Sequence, residues 1–405
     1  MNDINSGRDK INWVGANMPI LNSLREELRA QQPFKGATIV TSMHLEAKTA
    51  YLLLTLRELG AEVISSGSNP LSTQPDIAAC LRDQGLTVNA RHGCTMQEYT
   101  EDLLTSLSAR PHLLIDDGGD LLQLLQDDAY RAYDERLIGG CEETTTGIIR
   151  LRQLIADKAL RYPMISVNDA DCKHLFDNRY GTGESVWTTI THLTNLSVAS
   201  KTVVVAGYGW CGKGVAMRAK GLGARVIVTE VDPIKAMEAL MDGFSVLPMR
   251  EAAPLGDIFI TVTGCKDVIT GEHFPLLKDN AVLCNAGHFD CEVSTRELHE
   301  LGEGVEIKPS IRQFTLNGKH INLLGEGRLV NLAAGMGHPT EFMDMSFALQ
   351  LLSLLSLYTE RELYAKPDLY AVPRHIDERV AAIKLRSLNV AIDELTEEQR
   401  RYLAK

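Results

Sequence analysis

Two stretches of this chain, 36–69 and 201–232, each run from a β-branched strand through a helical pattern into a second strand, and they end alike, LGAEVISSGSNP against LGARVIVTEVDP. In the first, ATIVTS and AEVISS flank a helix whose apolar residues Leu52, Leu56 and Leu59 recur at helical spacing. Each stretch reads as a βαβ unit, and two in one chain predict two doubly wound α/β domains of similar architecture rather than a tandem repeat. Further apolar strands, HLLI before Asp116, MISV before Asn168, DIFITVT and AVLCNA, alternate with helical patterns as a parallel sheet requires.

The second unit is the more specific. In TVVVAGYGWCGKG the glycines Gly207, Gly209 and Gly212 follow a strand and open a helix in the order G-x-G-x-x-G. Glycine is needed there because the turn is tight, the backbone must approach a pyrophosphate, and the helix must pack closely on the strand. Glu230 ends the next strand, where a carboxylate accepts from ribose hydroxyls and repels a 2′-phosphate, so NAD is expected rather than NADP. The fold class is therefore α/β, with two Rossmann-like doubly wound parallel-sheet domains and a short C-terminal helical segment. A lone glycine triplet is an ordinary strand-to-helix turn; strand, triplet, helix, strand and acid together are not. What the dinucleotide does there cannot be read from the triplet.

A chain of 405 residues has room for two or three cores. Its net charge of -12 disfavours nucleic acid and anionic membrane as partners, since both attract clustered Lys and Arg. The polar start MNDINSGRDK lacks an apolar leader core, no run approaches the roughly 20 apolar residues of a membrane span, and the expected location is cytoplasmic. Eight cysteines without C-x-x-C or His/Cys spacing read as reduced thiols, and no metal is expected.

Several polar clusters remain that a sheet would not need: SMHLEAKTA, NPLSTQ, IDDGGD, EETTTG, NDADCKHLFDNRYG, CNAGHFD and EGRLVNLAAGMGHP. Together and in this order they resemble the adenosylhomocysteinase family, from about residue 36 to the end of the chain. Taken singly, IDDGGD reads as a strand-end turn and EETTTG as a helix cap.

The resemblance implies reversible hydrolysis of S-adenosyl-L-homocysteine to adenosine and L-homocysteine with an NAD that is not consumed. Oxidation at C3′ gives a ketone that acidifies C4′-H, the thiol leaves from C5′, water adds, and the ketone is reduced again. The residues implied to be catalytic are His44, Asp117, Glu143, Lys173, Asp177 and His288. Of these, Lys173, Asp177 and Glu143 hold the ribose hydroxyls, and Lys173 is expected to act as base with a pKa depressed by burial. Asp117 and His44 compete for removal of the C4′ proton. Substrate contacts are implied for Glu46, Lys48, Thr49, Ser72, Thr73, Gln74, Met336 and His338, the last in a hinge and gate segment. Cofactor contacts are implied for Thr144, Thr145, Thr146, Asn178, Thr263, Asn285 and Asn331, besides Gly207, Gly209, Gly212 and Glu230. The expected organisation is a substrate-binding domain over 1–180 completed by 340–372, an NAD-binding domain over 181–339, and a C-terminal oligomerisation segment over 373–405. A homotetramer is the expected assembly.

The chain departs from the family pattern in three places. Relatives read H-M-T-x-E-T where this chain has His44-Leu45-Glu46-Ala47-Lys48-Thr49, so an acceptor facing the purine has become a donor. An ammonium suits a 6-oxo group, which makes S-inosyl-L-homocysteine an alternative substrate; the other outcomes for Lys48 are solvent or a pair with Glu46, with Gln74 or a carbonyl reading the purine. The chain stops at Lys405 where many relatives add a basic, aromatic tail, and a less enclosed NAD is expected. Thr182 replaces a cysteine. Rival readings are an NAD-dependent dehydrogenase that releases NADH and a non-catalytic NAD-binding regulator.

Overall fold

A computed structural model describes residues 2–302 and 304–404, so Lys405 of the C-terminal expectation lies outside the described residues. In chain order the strands are β1 (Thr38–Met43), β2 (Glu62–Gly67), β3 (Thr87–Asn89), β4 (Leu113–Asp116), β5 (Gly139–Glu142), β6 (Met164–Ser166), β7 (Thr202–Ala206) and β8 (Arg225–Thr229). They continue with β9 (Ser245–Val246), β10 (Ile258–Thr261), β11 (Ala281–Asn285), β12 (Gly304–Lys308), β13 (Ile311–Leu316), β14 (Lys319–Leu324) and β15 (Leu369–Ala371).

Among the described residues these strands make two sheets. One has the order β15-β6-β5-β4-β1-β2-β3, and the other β12-β13-β14-β11-β10-β7-β8-β9. The first is parallel throughout, while the second turns antiparallel only at its β12, β13 and β14 edge. Every residue of β1 and β7 is buried, as expected of strands covered by helices on both faces. Both sheets are doubly wound, and the strand order reverses between β1 and β4 in one and between β7 and β10 in the other. A crevice opens beyond the carboxyl ends of the strands at such a reversal, and ligands bind there.

Helix Thr340–Thr359 returns to the first sheet after the second is complete. Its 20 residues are apolar enough to cross a membrane by length and composition, contrary to the expectation that no segment comes close, yet 72% of its most apolar window is buried inside the fold. It joins the core of the first lobe through Phe347, Leu351 and Leu354. Truncating Leu351, which is fully buried, would cost about 2–5 kcal/mol. The stretch over 373–405 divides in two. Helix Arg374–Ser387 buries Ile376, Val380 and Ile383 in that same core, whereas nothing from Leu388 onward is buried among the described residues.

The lobes join where three helical segments meet: the π-helical turn His174–Gly181, helix Thr182–Thr194 and helix Trp210–Gly221. A Cβ on Gly214 would lie 1.6 Å from the Arg179 carbonyl oxygen, and one on Gly183 would lie 2.6 Å from the Gly214 carbonyl. Only glycine permits that approach, which brings the first lobe's catalytic-type residues to the mouth of the second lobe's crevice.

Candidate active site

The sequence-predicted residues come from separate strand ends. His44 follows β1, Asp117 follows β4, Glu143 follows β5, Lys173 ends the turn Asp171–Lys173 after β6, and His288 lies just beyond β11. Asp177 and Asn178 sit on the π-helical turn, an element often found at functional sites. His44, Glu46, Lys48, Thr49, Asp117, Glu143, Thr144, Lys173, Asp177, His288, Asn331 and His338 all line one cleft.

Lys173 is the hub. Its Nζ donates to Asn178 Oδ1 at 2.7 Å and pairs with Asp177 at 2.9 Å and Glu143 at 3.2 Å. Burial alone would lower the lysine, but the two carboxylates outweigh it and hold it well above its ordinary value. The expected depressed lysine is therefore corrected in the protein as described: flanking anions, not burial, set the direction. Burial would raise Asp177 too, yet Lys173 and His338 together hold it well below the usual carboxylate range. Burial raises Glu143 to about 7, against the pull of Lys173.

Asp177 also accepts from His338 Nδ1 and from Ser346 Oγ at 3.0 Å, and Gln350 donates its amide to Glu143. Ser346, Gln350 and the apolar lining residues Met343 and Phe347 lie on the long helix, and the sequence reasoning missed them. The available signal was a set of polar residues, Asp344, Ser346 and Gln350, fully buried in an otherwise apolar helix.

Across the cleft, His44 Nε2 lies 3.6 Å from Asp117 Oδ2, and one ring nitrogen of His44, one of His288 and a carboxylate oxygen of Asp117 all fall within 4.8 Å of one another. Burial lowers His44, partly opposed by Asp117, and its Nδ1 is buried without a partner. This is a neutral imidazole with an unused nitrogen beside a carboxylate, so it can give or take a proton.

Lys48 does not point to solvent. Its Nζ bonds Glu46 at 2.9 Å and the Met336 carbonyl at 3.0 Å, which leaves one N–H for the cleft. Thr49 Oγ1 donates to the His44 carbonyl at 2.7 Å and so steadies the strand end. Ser72 and Thr73 are not brought to the cleft: Ser72 bonds the Asn69 carbonyl, and Thr73 packs beside Gly67. Gln74 and Met336 line an adjoining open cleft, with Gln74 Oε1 unpartnered.

The dinucleotide residues fit the group expected of them. Gly207 has φ +102°, a Cβ on Gly212 would sit 2.0 Å from the Gly207 carbonyl oxygen, and the Cβ position of Gly209 is open. Glu230 accepts from the Tyr208 N–H at 2.7 Å and the Val231 N–H at 2.7 Å, which fixes its carboxylate beside the glycine turn. Asn331 donates to Ser185 Oγ at 2.9 Å, while its Oδ1 is buried with no partner and free to accept from a bound molecule. Thr145 bonds Asn168 at 3.3 Å, Thr146 is half-buried at the start of its helix, and Thr263 donates through N and Oγ1 to Glu292 at 2.9 and 2.7 Å. Asn285 is fully committed to the protein: it accepts from the Gly287 N–H at 2.8 Å and donates to the carbonyls of Gly287, Phe289 and Gly327. It fastens the loop that carries His288.

Two family models match the chain, "S-adenosyl-L-homocysteine hydrolase, NAD binding domain" over residues 178–337 and "S-adenosyl-L-homocysteine hydrolase" over residues 1–128. An adenosylhomocysteinase of Thermotoga maritima is 55% identical, with 99% of each chain covered. An S-inosyl-L-homocysteine hydrolase of Methanocaldococcus jannaschii is 52% identical over 99% of this chain and 97% of its own. An adenosylhomocysteinase of Pyrococcus abyssi is 52% identical over 98% and 94%. With the glycine cradle, the carboxylate beside its turn and two facing acid–base clusters in one cleft, this chain belongs to the S-adenosyl-L-homocysteine hydrolase family and is an NAD-dependent hydrolase.

Proposed function

We propose that the chain hydrolyses S-adenosyl-L-homocysteine reversibly to adenosine and L-homocysteine. The observation that carries this is the pairing, across one cleft, of a buried Lys173–Glu143–Asp177 cluster with a His44–Asp117–His288 cluster. A dehydrogenase needs one acid–base set at the oxidised carbon. A second set is of use only if a proton and a leaving group on neighbouring carbons must also be handled. A releasing dehydrogenase is therefore not favoured, nor is a non-catalytic regulator in which both sets survive.

In this reading the first lobe, 1–180 with 340–372, binds substrate, and 181–339 binds NAD. Gly207, Gly209, Gly212 and Glu230 hold the dinucleotide, with Thr144, Asn178 and Asn331 at its reactive end. Bound NAD would supply reversible oxidation of the C3′ hydroxyl. Lys173 and Asp177 hold the ribose hydroxyls in place, and the C3′ hydroxyl proton enters their network, with Glu143 as the group that gains it. Asp117 takes the C4′ proton. His44, neutral at rest, relays that proton to the departing sulfur and then takes one from the water that adds at C5′, which returns to C4′ through Asp117. His288 closes the cleft over these carbons, and His338 steadies Asp177.

The test is release of free thiol by purified enzyme, together with exchange of the C4′ hydrogen of adenosine in D₂O. Asp117→Asn should abolish exchange and release. His44→Asn should keep exchange and lose release. Loss of both steps in His44→Asn, with exchange intact in Asp117→Asn, would reverse the two assignments.

A second reading of the substrate rests on Lys48. Its remaining N–H, beside the Gly337 backbone, suits a 6-oxo purine, while its partner Glu46 suits a 6-amino group. The ratio of kcat/KM on adenosyl and inosyl thioethers decides between them, and a strong adenosyl preference removes the inosyl reading.

A homo-oligomer, expected as a tetramer, is supported by the exposed apolar side chains Leu388, Ile392, Leu395, Tyr402 and Leu403 beyond the last core helix. Light scattering on wild type and on a chain ending at Asn389 tests it. Eight unpaired thiols, two of them exposed, suit a reducing compartment and support a cytoplasmic location.

A further inference from the structure

Directly behind the two acidic residues assigned to the chemistry lies a carboxyl that the mechanism does not use. Glu142 ends β5 and is completely buried. Its Oε1 accepts from two backbone amides, Gly118 N–H at 2.9 Å and Thr144 N–H at 2.9 Å. The first belongs to the loop that carries Asp117, and the second to the turn that follows Glu143. The Glu142 carbonyl accepts from Val167 at 3.1 Å and Asn168 at 3.2 Å, where β6 leads toward Lys173. One residue therefore bonds to the ends of three adjacent strands, each of which delivers an acid–base group to the cleft.

The space around this carboxyl is built for it. A Cβ on Gly147 would lie 2.1 Å from Glu142 Cδ and 2.3 Å from each oxygen, so the glycine of EETTTG is the room into which the carboxyl fits. The other oxygen, Oε2, is buried without a partner. The charged groups that act on it are carboxyls, Asp116 foremost and then Asp117. Asp116 itself accepts from backbone amides, Asp117 N–H at 3.2 Å and Leu122 N–H at 3.0 Å.

We propose that Glu142 is a positioning residue for the reaction: as a neutral carboxylic acid it clamps the Asp117 loop and the Glu143 turn together in their working register. An ionised Glu142 would add a buried negative charge beside Asp116 with no cation on it, whereas a protonated one keeps Oε1 as the acceptor of both amides without that charge. Burial and the nearby Asp116 both push its pKa well up, in agreement.

A displacement near 1 Å of a catalytic group costs on the order of 10²-fold in rate, and a clamp across two loops controls displacements of that size. Glutamine reproduces the neutral acid, with one oxygen to accept and an NH₂ where the O–H was. The inference rests on the hydrolase reading, so wild-type thiol release is measured first, and its absence would overturn that reading rather than this one. Given an active wild type, Glu142→Gln should keep at least a tenth of kcat. Glu142→Ala should lose about 10²-fold in kcat with KM within about threefold. Gly147→Ala leaves Glu142 present but takes its space, and should reproduce the alanine loss; it also serves should Glu142→Ala fail to fold. A Glu142→Gln protein as inactive as Glu142→Ala or Gly147→Ala would overturn the proposal, as would a Glu142→Ala protein with unchanged kcat.

Discussion

Replacing Asp177 by asparagine removes one charge from a site where nothing else can take its place. Asp177 is 1% exposed, lies 2.9 Å from Lys173 Nζ, and also holds His338 and Ser346. The substitution preserves shape and one acceptor, but it leaves Lys173 with Glu143 as its one carboxylate, at 3.2 Å. Removing one partner of a buried ion pair costs about 3–5 kcal/mol. At about 2–4 °C per kcal/mol for a lobe of this size, the first-lobe transition should fall by roughly 6–20 °C in calorimetry. The pH dependence supplies a second reading. The Asp177 pKa is depressed in the folded chain, so its contribution is present above the unfolded value near 4 and is lost as pH falls toward the folded one. Wild type should therefore lose stability on acidification below about pH 4, and Asp177→Asn should lose less over the same interval. Activity should drop by about 10²–10⁴-fold, mostly in kcat, because the ribose network loses its fixed anion. A shift under 2 °C with the acid limb unchanged would mean that the pair is not ionised in the folded protein, and the charge assignment of the whole cluster would fall with it.

Other consequences follow from single contacts. Glu143, raised to about 7, should give an acid limb in kcat/KM near neutrality, with the rate falling as pH drops; Glu143→Gln should remove that limb, and a retained limb would exclude Glu143 as the titrating group. Gly212→Ala puts a methyl 2.0 Å from the Gly207 carbonyl oxygen, so NAD should be lost on gel filtration while the first lobe stays folded; full occupancy would contradict the cradle geometry. Asp344 accepts from the Ile20 and Leu21 amides at 2.8 and 2.9 Å, and Asp344→Ala should cost about 1–3 kcal/mol by leaving them unsatisfied. Burial raises Asp344 to about 6, so its favourable term is full below the unfolded value near 4 and fades as pH rises through 6. Melting at pH 4.5 and 7.5 should show Asp344→Asn gaining on wild type at the higher pH, and the opposite trend would refute the assignment.

Much of the site was legible because its residues sit at strand ends, where periodicity gives way to polar clusters. The family resemblance carried by those clusters implied His44, Asp117, Glu143 and Lys173, and all four line one cleft. Ser72 and Thr73 were implied by the same resemblance but turn to their own loop, because a polar turn closes its own hydrogen bonds when no ligand-facing strand end directs it. Asn285 looks identical in sequence to a cofactor contact, yet it is used up in fastening the His288 loop. Gln350 and Ser346 lie about 170 to 210 residues from the carboxylates they bond, and no local pattern links such positions.

By itself the sequence determined the α/β class, the two doubly wound units and the dinucleotide cradle, and through the family resemblance it implied a candidate set of acid–base residues. Each depends on neighbours in the chain: a strand's burial pattern, the steric demand for glycine at a turn, the carboxylate after the next strand. The tertiary structure alone decided which of those acids are charged and which way Lys173 is pushed. A pKa is set by every charge and every unit of buried surface within a few ångströms, and here those come from β1, β4, β5, the π-helical turn and a helix that returns from the far end of the chain. The same distinction separates Glu143 from Glu142, adjacent in sequence and alike in chemistry, one facing the cleft and the other locked behind it by the room at Gly147.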